Sequence, residues 1–254
     1  MTHSLPQIER TMKPIMRTLL VALLLAITAP SAVAQVEWSS GVDFMSPYVW
    51  RGQVFSNGFV FQPYVEAAYQ GLAVGFWGNV DPQSEAVDSK MHLNEADLYA
   101  SYSASLGGVA LSLGYTFYTF PDPTGETFEL WPTHEFSLSA ALEAVPLSPS
   151  LFVAYDVDAI QGMYAEAGLG HEVNLGSQPF GLGFALGFDN EFLLEDSGLS
   201  HMALSVGTAF EAGNVTVSPL IGFQIQLADE YRAFNAPSGF GSDTFFYGGI
   251  GLGF

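Results

Sequence analysis

The sequence predicts an all-β fold: a closed antiparallel transmembrane β-barrel of twelve strands, within about two either way. Three observations lead there. Stretches of about ten residues alternate apolar side chains with small or polar ones at period two. The connections between them alternate between tight turns and longer polar loops. Hydrophobic residues make up 49% of the chain, yet after the N-terminal leader no run is long and apolar enough for a membrane helix.

The leader comes first. Arg10, Lys13 and Arg17 precede the apolar run 19–27, and the small-residue site Ala32-Val33-Ala34 precedes Gln35. This is the layout of a secretory signal peptide, with an apolar core too short to span a bilayer. Residues 1–34 are thus expected to be removed, leaving a barrel domain of residues 35–254. The leader carries three of the six basic residues and one of the 26 acidic ones. Arg51, Lys90 and Arg232 then face 25 carboxylates, a formal charge of −22. So acidic a surface excludes nucleic-acid binding and attracts cations. Cysteine is absent, which excludes disulfides and thiolate chemistry.

From Gln35 onward the alternation predicts strands over 36–50, 59–70, 72–80, 95–106, 109–119, 133–144, 150–158, 163–173, 180–190, 201–211, 215–227 and 244–254. Tight turns are predicted at Gln70-Gly71, Leu106-Gly107-Gly108, Val145-Pro146-Leu147, Gly176-Ser177-Gln178 and Ala212-Gly213-Asn214. The segments 52–58, 81–94, 121–132, 191–200 and 228–242 are the long loops, and 159–162 is a short one in phase with them. An even strand count with short turns opposite long loops is the layout of an outer-membrane barrel.

Splitting each strand by the pleat tests this. Leu111, Leu113, Tyr115 and Phe117 share one face, as do Phe180, Leu182, Phe184, Leu186 and Phe188, and Val215, Val217, Ile221, Phe223 and Ile225. Every strand carboxylate falls on the opposite face with Gly, Ala, Ser, Thr or Tyr, so the apolar face reads as the lipid-facing band. Trp38, Tyr69, Tyr48, Trp50 and Trp131 fall where aromatic girdles would sit. The last strand sets Phe246, Gly248, Ile250, Leu252 and Phe254 against Phe245, Tyr247, Gly249, Gly251 and Gly253. It must pair with the first strand, because an open edge is untenable in hydrocarbon. The C-terminal Phe254 resembles the sorting signal of bacterial outer-membrane proteins, which implies the barrel-assembly machinery and outer-membrane lipid as partners.

Tyr48-Val49-Trp50-Arg51-Gly52, Phe76-Trp77-Gly78-Asn79-Val80-Asp81, Asn94-Glu95-Ala96-Asp97-Leu98-Tyr99 and Gly114-Tyr115-Thr116-Phe117-Tyr118-Thr119-Phe120-Pro121 together resemble the Gcw-type family of conserved hypothetical proteins of bacterial outer membranes. The likeness is clearest over 42–122. It implies a barrel in the outer membrane and carries over no reaction and no active-site residues.

Twelve strands about 4.8 Å apart and tilted about 40° give a backbone radius of roughly 12 Å, wide enough for a narrow passage if the inward side chains are small. Many are, among them Gly75, Ser112, Gly114, Ser137, Ser139, Gly168, Gly183 and Gly222. Tyr64, Trp77, Tyr99, Tyr118, Phe152, Tyr164 and Tyr247 are also phased inward, and a loop folding in would plug the passage. The candidate ion pathway is Asp43, Arg51, Glu66, Glu95, Asp97, Glu135, Asp156, Glu166 and Asp189. Arg51 is phased inward, within reach of Asp43, Glu66 or Asp97 for a bridge across the lumen. Carboxylates 8 Å apart repel by about 2 kcal/mol at an effective dielectric of 20, so water, cations or protons must offset them.

The sequence therefore points to a porin-like path for small cations or polar solutes, or else to a non-conducting barrel that works as scaffold, adhesin or receptor through its loops. No enzyme is expected. His92, His134, His171 and His201 lack the His-x-Ser pattern of an outer-membrane phospholipase, and His92 or His201 beside nearby carboxylates makes only a loose protease-like grouping. No cofactor is predicted, and no metal site: the acidic stretch 81–88 lacks the regular spacing of a calcium loop.

Overall fold

The computed structural model describes residues 36–84, 90–121, 130–235 and 243–254. The leader and its cleavage site, Glu85 and Asp88, Glu126 and the side chain of Trp131 lie outside the described residues. In chain order the elements are β1 (Glu37–Ser46), β2 (Tyr48–Trp50), β3 (Gln53–Ser56), β4 (Val60–Tyr69), β5 (Leu72–Ser84), β6 (Lys90–Leu106), β7 (Val109–Pro121) and β8 (Leu130–Ala141). There follow β9 (Ser150–Asp156), β10 (Met163–Leu175), β11 (Gln178–Asn190), β12 (Ser197–Gly207), β13 (Phe210–Ala212), β14 (Val215–Gln226), the helix α1 (Asp229–Asn235) and β15 (Thr244–Gly253).

Twelve of these strands, all but β2, β3 and β13, pair antiparallel with their neighbours and close into a ring. The seam lies between β1 and β15, registered from Gly41↔Gly253 to Ser46↔Gly248, so the last strand pairs with the first as predicted. The Phe254 amide donates to the Ser40 carbonyl at 2.9 Å and extends that seam by one bond. The short β13 continues the line of β12 along β14, from Phe210↔Val217.

The two faces of the wall separate as the pleat predicts. Leu98, Leu113, Phe136, Leu138, Leu151, Leu204, Ile221 and Phe246 point outward and are exposed, Leu113 by 62% and Phe246 by 65%. Among the described residues the barrel turns its large aliphatic side chains outward all round the ring rather than into its interior. The inner face changes character along its length. On β6, Ser103 is exposed, Ser101 and Tyr99 half-buried, and Asp97 and Glu95 buried. The lumen is therefore open toward the tight turns and filled toward the long loops.

Glycine sets the width of the open half at three places. Tyr64 is registered opposite Gly41, Tyr99 opposite Gly75 and Tyr247 opposite Gly222. In each pair the phenol ring covers the glycine so closely that an added Cβ would collide with it. The tyrosines lie flat along the wall and leave the lumen clear, as aromatic residues do when they shield a cross-strand glycine. Recesses of about 550 and 580 Å³ open in this half; Ser112, Ser139 and Glu166 line one, and Asp43, Gly181 and Ser218 the other.

Several predicted boundaries change. The first strand was expected to run to Trp50, but β1 stops at Ser46 and β2 and β3 form a separate hairpin. The segment expected as the first outer loop is this hairpin's return strand, and it turns into the barrel. On β12, the pairing skips from Gly187↔His201 to Phe188↔Leu199, leaving Ser200 as a bulge. The bulge puts both Ser200 and His201 inside and keeps Leu199 outside at 49% exposure. Loop tips lengthen several strands: β5 reaches Ser84 and β6 starts at Lys90, beyond the predicted 80 and 95.

Candidate functional site

The β2–β3 hairpin is the site. Its two-residue turn is Arg51-Gly52, with φ of +51° and +87° and Trp50 registered to Gln53. Positive φ at both central positions is the type I′ geometry that suits a tight hairpin. Glycine adopts it without cost; Arg51 does not, and a strained non-glycine residue at a turn tip is where function is to be sought.

The Arg51 guanidinium reaches the wall and binds Glu135 of β8 through two parallel bonds, Nη1 to Oε2 at 2.6 Å and Nη2 to Oε1 at 2.7 Å. Both side chains are buried, at 7% and 3% exposure. Aromatic rings surround the cation: Trp50 lies 4.4 Å from the guanidinium carbon, Tyr164 4.9 Å, Phe192 5.2 Å and Phe152 5.5 Å. Their faces supply the negative quadrupole that a desolvated cation needs. The Tyr118 hydroxyl donates to Glu135 Oε1 at 3.2 Å and holds the carboxylate in place.

The rest of the hairpin is tied to every side of the lumen. Tyr48 donates to Glu95 Oε2 at 2.8 Å and packs on Trp77. The Gly52 carbonyl accepts three bonds, from Gln226 at 2.7 Å, Gln224 at 3.0 Å and Asn235 of α1 at 3.0 Å. Asn235 Oδ1 in turn accepts the Val54 amide at 2.9 Å. Ser56 closes a chain of amides running through Asn94 and Asn79 to Gln62. Trp50 touches Tyr118 and Phe192, and Phe55 touches Phe234 of α1. Of these hairpin side chains Gln53 Nε2 is buried without a hydrogen-bond partner, but a segment bonded at so many points is a built plug rather than a loop resting at the mouth.

The predicted pathway residues divide into groups. Arg51 and Glu135 meet in the plug, so Arg51 is inward as expected but its partner is Glu135 rather than Asp43, Glu66 or Asp97. Glu95 and Asp97 lie beside it on β6, and Asp97 Oδ1 is buried without a hydrogen-bond partner. Asp156 and Asp189 anchor loops. Asp156 accepts the Thr133 hydroxyl and the amides of Asp158, Ile160 and Gln161. Asp189 accepts the amides of Phe192, Leu193 and Leu194 and the Tyr231 hydroxyl at 2.7 Å. Burial, with Asp189 beside it, pushes the Tyr231 hydroxyl well above the usual tyrosine range, so it remains a donor. Glu66 accepts from Tyr99, Glu166 accepts from Tyr164, and Asp43 lines the open half.

Sequence reasoning did not single out Gln224, Gln226, Asn235 or Phe192 for this site. The available signals were polar amides at the loop ends of otherwise apolar strands. His201 stacks on Tyr164 and sits 3.1 Å from Ser200 Oγ, a pairing the bulge creates. His134 lies outside the barrel wall against Tyr115 and Phe117. Among the described residues no three His, Asp or Glu side chains converge as a metal site requires.

Fold and site together define a closed twelve-stranded antiparallel barrel whose loop end is filled by its own first hairpin. The chain belongs to the family described as a bacterial protein of unknown function (Gcw_chp), whose family model matches residues 29–234. That span takes in the whole hairpin and the wall strands bonded to it, and stops one residue short of Asn235. No curated protein matches the chain.

Proposed function

We propose that this chain, after loss of residues 1–34, is a barrel of the bacterial outer membrane that passes small cations or polar solutes through a narrow lumen held shut by the β2–β3 hairpin. The continuous outward band of exposed aliphatic and aromatic residues supports the membrane setting, since it has no other cover. The leader and Phe254 support export and delivery to outer-membrane lipid through the barrel-assembly machinery. Transport, rather than a reaction, suits a lumen walled by small residues and carboxylates.

The observation that carries the reading is the contrast along the lumen: an open, smooth, acidic half ends at a segment that is covalently joined to the wall only at its two ends and is otherwise held by side-chain bonds. A permanently closed barrel would fill that layer more simply with large side chains from the strands. The same closure also favours the second reading, a non-conducting barrel that presents its loops. Replacing residues 48–56 with a short glycine link separates the two. In a planar bilayer the shortened protein is expected to conduct steadily, with a reversal potential of cation-selective sign under a salt gradient, and the intact protein to conduct rarely. A silent shortened barrel would leave the scaffold reading, and equal conductance in both would remove the hairpin from the pathway.

A further inference from the structure

We infer that the cage around Arg51 is a binding site for an organic cation with a guanidinium-like head, and that Arg51 is its tethered occupant. The inference rests on the gated-barrel reading and names the class of solute the constriction takes. Apart from Trp50, everything that contacts the Arg51 guanidinium comes from outside the hairpin: Glu135 from β8, Phe152 from β9, Tyr164 from β10, and Phe192 from the loop after β11. Each is held by a partner that also lies outside the hairpin. Tyr118 orients Glu135, Phe152 packs on Tyr164, Glu166 accepts from Tyr164, and Asp189 fixes the backbone of Phe192. Lifting the hairpin would therefore leave a carboxylate facing three aromatic rings, already shaped for a flat cation, and a preformed site binds without a cost of ordering.

The turn itself argues the same way. A type I′ tip takes glycine or asparagine readily, yet Arg stands there at φ +51°. Gln70 takes nearly the same φ, +49°, before Gly71 at an ordinary tight turn, so this geometry admits a long side chain, and what sets Arg51 apart is that its guanidinium ends in the cage. Two parallel N–H···O bonds to one carboxylate require a planar fork, which an ammonium lacks. A tethered competitor acts at an effective concentration of about millimolar or above, so the intact barrel resists a free cation of similar affinity.

The test uses the full chain carrying Arg51→Gly, which suits the turn geometry, with methylguanidine as probe and urea as an uncharged planar analogue of its head. Millimolar methylguanidine is expected to raise the unfolding temperature of R51G in proportion to the logarithm of its concentration. Urea should give no such rise, and the double variant R51G/E135Q should not respond to either. Binding to R51G is expected to be about tenfold or more tighter than to the intact protein. An R51G barrel that ignores methylguanidine, or answers equally to urea or without Glu135, overturns the site. If R51G fails to assemble, folding is repeated with the probe present: recovery that follows methylguanidine concentration supports the site, and no recovery overturns it. Potassium conductance of R51G is recorded separately. Binding without current retains the site and removes the channel; current with no methylguanidine binding does the reverse.

Discussion

Substituting Glu135→Gln is the sharpest test of how the plug is held. The change keeps shape and one acceptor oxygen but removes the charge that faces Arg51 across 2.6 and 2.7 Å. Arginine cannot shed its proton, so the variant leaves a guanidinium at 7% exposure with one neutral amide oxygen and the aromatic faces for compensation. Breaking a buried ion pair from one side costs about 3–5 kcal/mol, and the amide oxygen left in place puts this case near the lower figure. The barrel ring does not depend on the pair, because its ladder is complete without the hairpin. The loss therefore falls on the local equilibrium between seated and lifted hairpin, shifting it about a hundredfold or more. Amide hydrogen exchange reads that equilibrium: the Val54 amide, which donates to Asn235, should exchange faster by this factor, while the β1–β15 seam keeps its protection. Unchanged exchange at Val54 would show that the ion pair does not latch the hairpin. Uniform acceleration round the ring would show that hairpin and barrel unfold as one unit.

Other expectations follow from the wall and the loops. Leu113→Arg, on the outward face at 62% exposure, should cost about 2–4 kcal/mol in a lipid-embedded barrel, whereas its inward neighbour Ser112→Arg should be accepted; heat-modifiable mobility after refolding into lipid compares them, and equal behaviour would refute the lipid assignment. Asp189→Ala strands the amides of Phe192, Leu193 and Leu194 and should loosen that loop by about 1–3 kcal/mol, read as new protease cleavage within 191–196. Asp97→Asn keeps an oxygen for the Thr119 backbone bond, replaces the buried Oδ1 that has no partner, and should leave hairpin protection equal or higher; a fall would show that the carboxylate itself helps to hold the hairpin. In the barrel shortened at the hairpin, Glu66→Gln with Asp97→Asn should move the reversal potential toward zero, and an unmoved potential would place selectivity elsewhere.

The wall was legible in the sequence because a barrel strand writes its environment at period two. Leu113 and Ser112 differ by one position and by the whole thickness of the sheet, and parity alone assigns them. The plug was not legible for a reason of the same kind. Tyr48, Trp50 and Val54 alternate as a wall strand does, so parity could not tell a strand that continues β1 from one that folds inside it. The Arg51-Gly52 pair was the local sign of a tight hairpin, but Arg is an unusual residue for its first position. The partner of Arg51 was out of reach because Glu135 is 84 residues away on another strand, and many acids share its phase. The Ser200 bulge shifts parity without any change in composition. Asp156 and Asp189 looked like their neighbours until the loops that they collect were seen to bend back over them.

The hairpin leaves the chain directly after the first wall strand, yet what grips it comes late: Glu135 on β8, Gln224 and Gln226 on β14, and Asn235 between the last two strands. Its bonds to Asn235 and the β14 amides span 172 to 183 residues. The hairpin therefore has no stable seat during most of assembly, because its seat is the nearly finished cylinder. Contacts of such long sequence separation form late. A barrel stalled short of β14 would carry its first loop unlodged, with the Tyr48, Trp50 and Phe55 rings and the Arg51 cation uncovered. The same few residues that close the finished molecule thus distinguish it from its incomplete precursors.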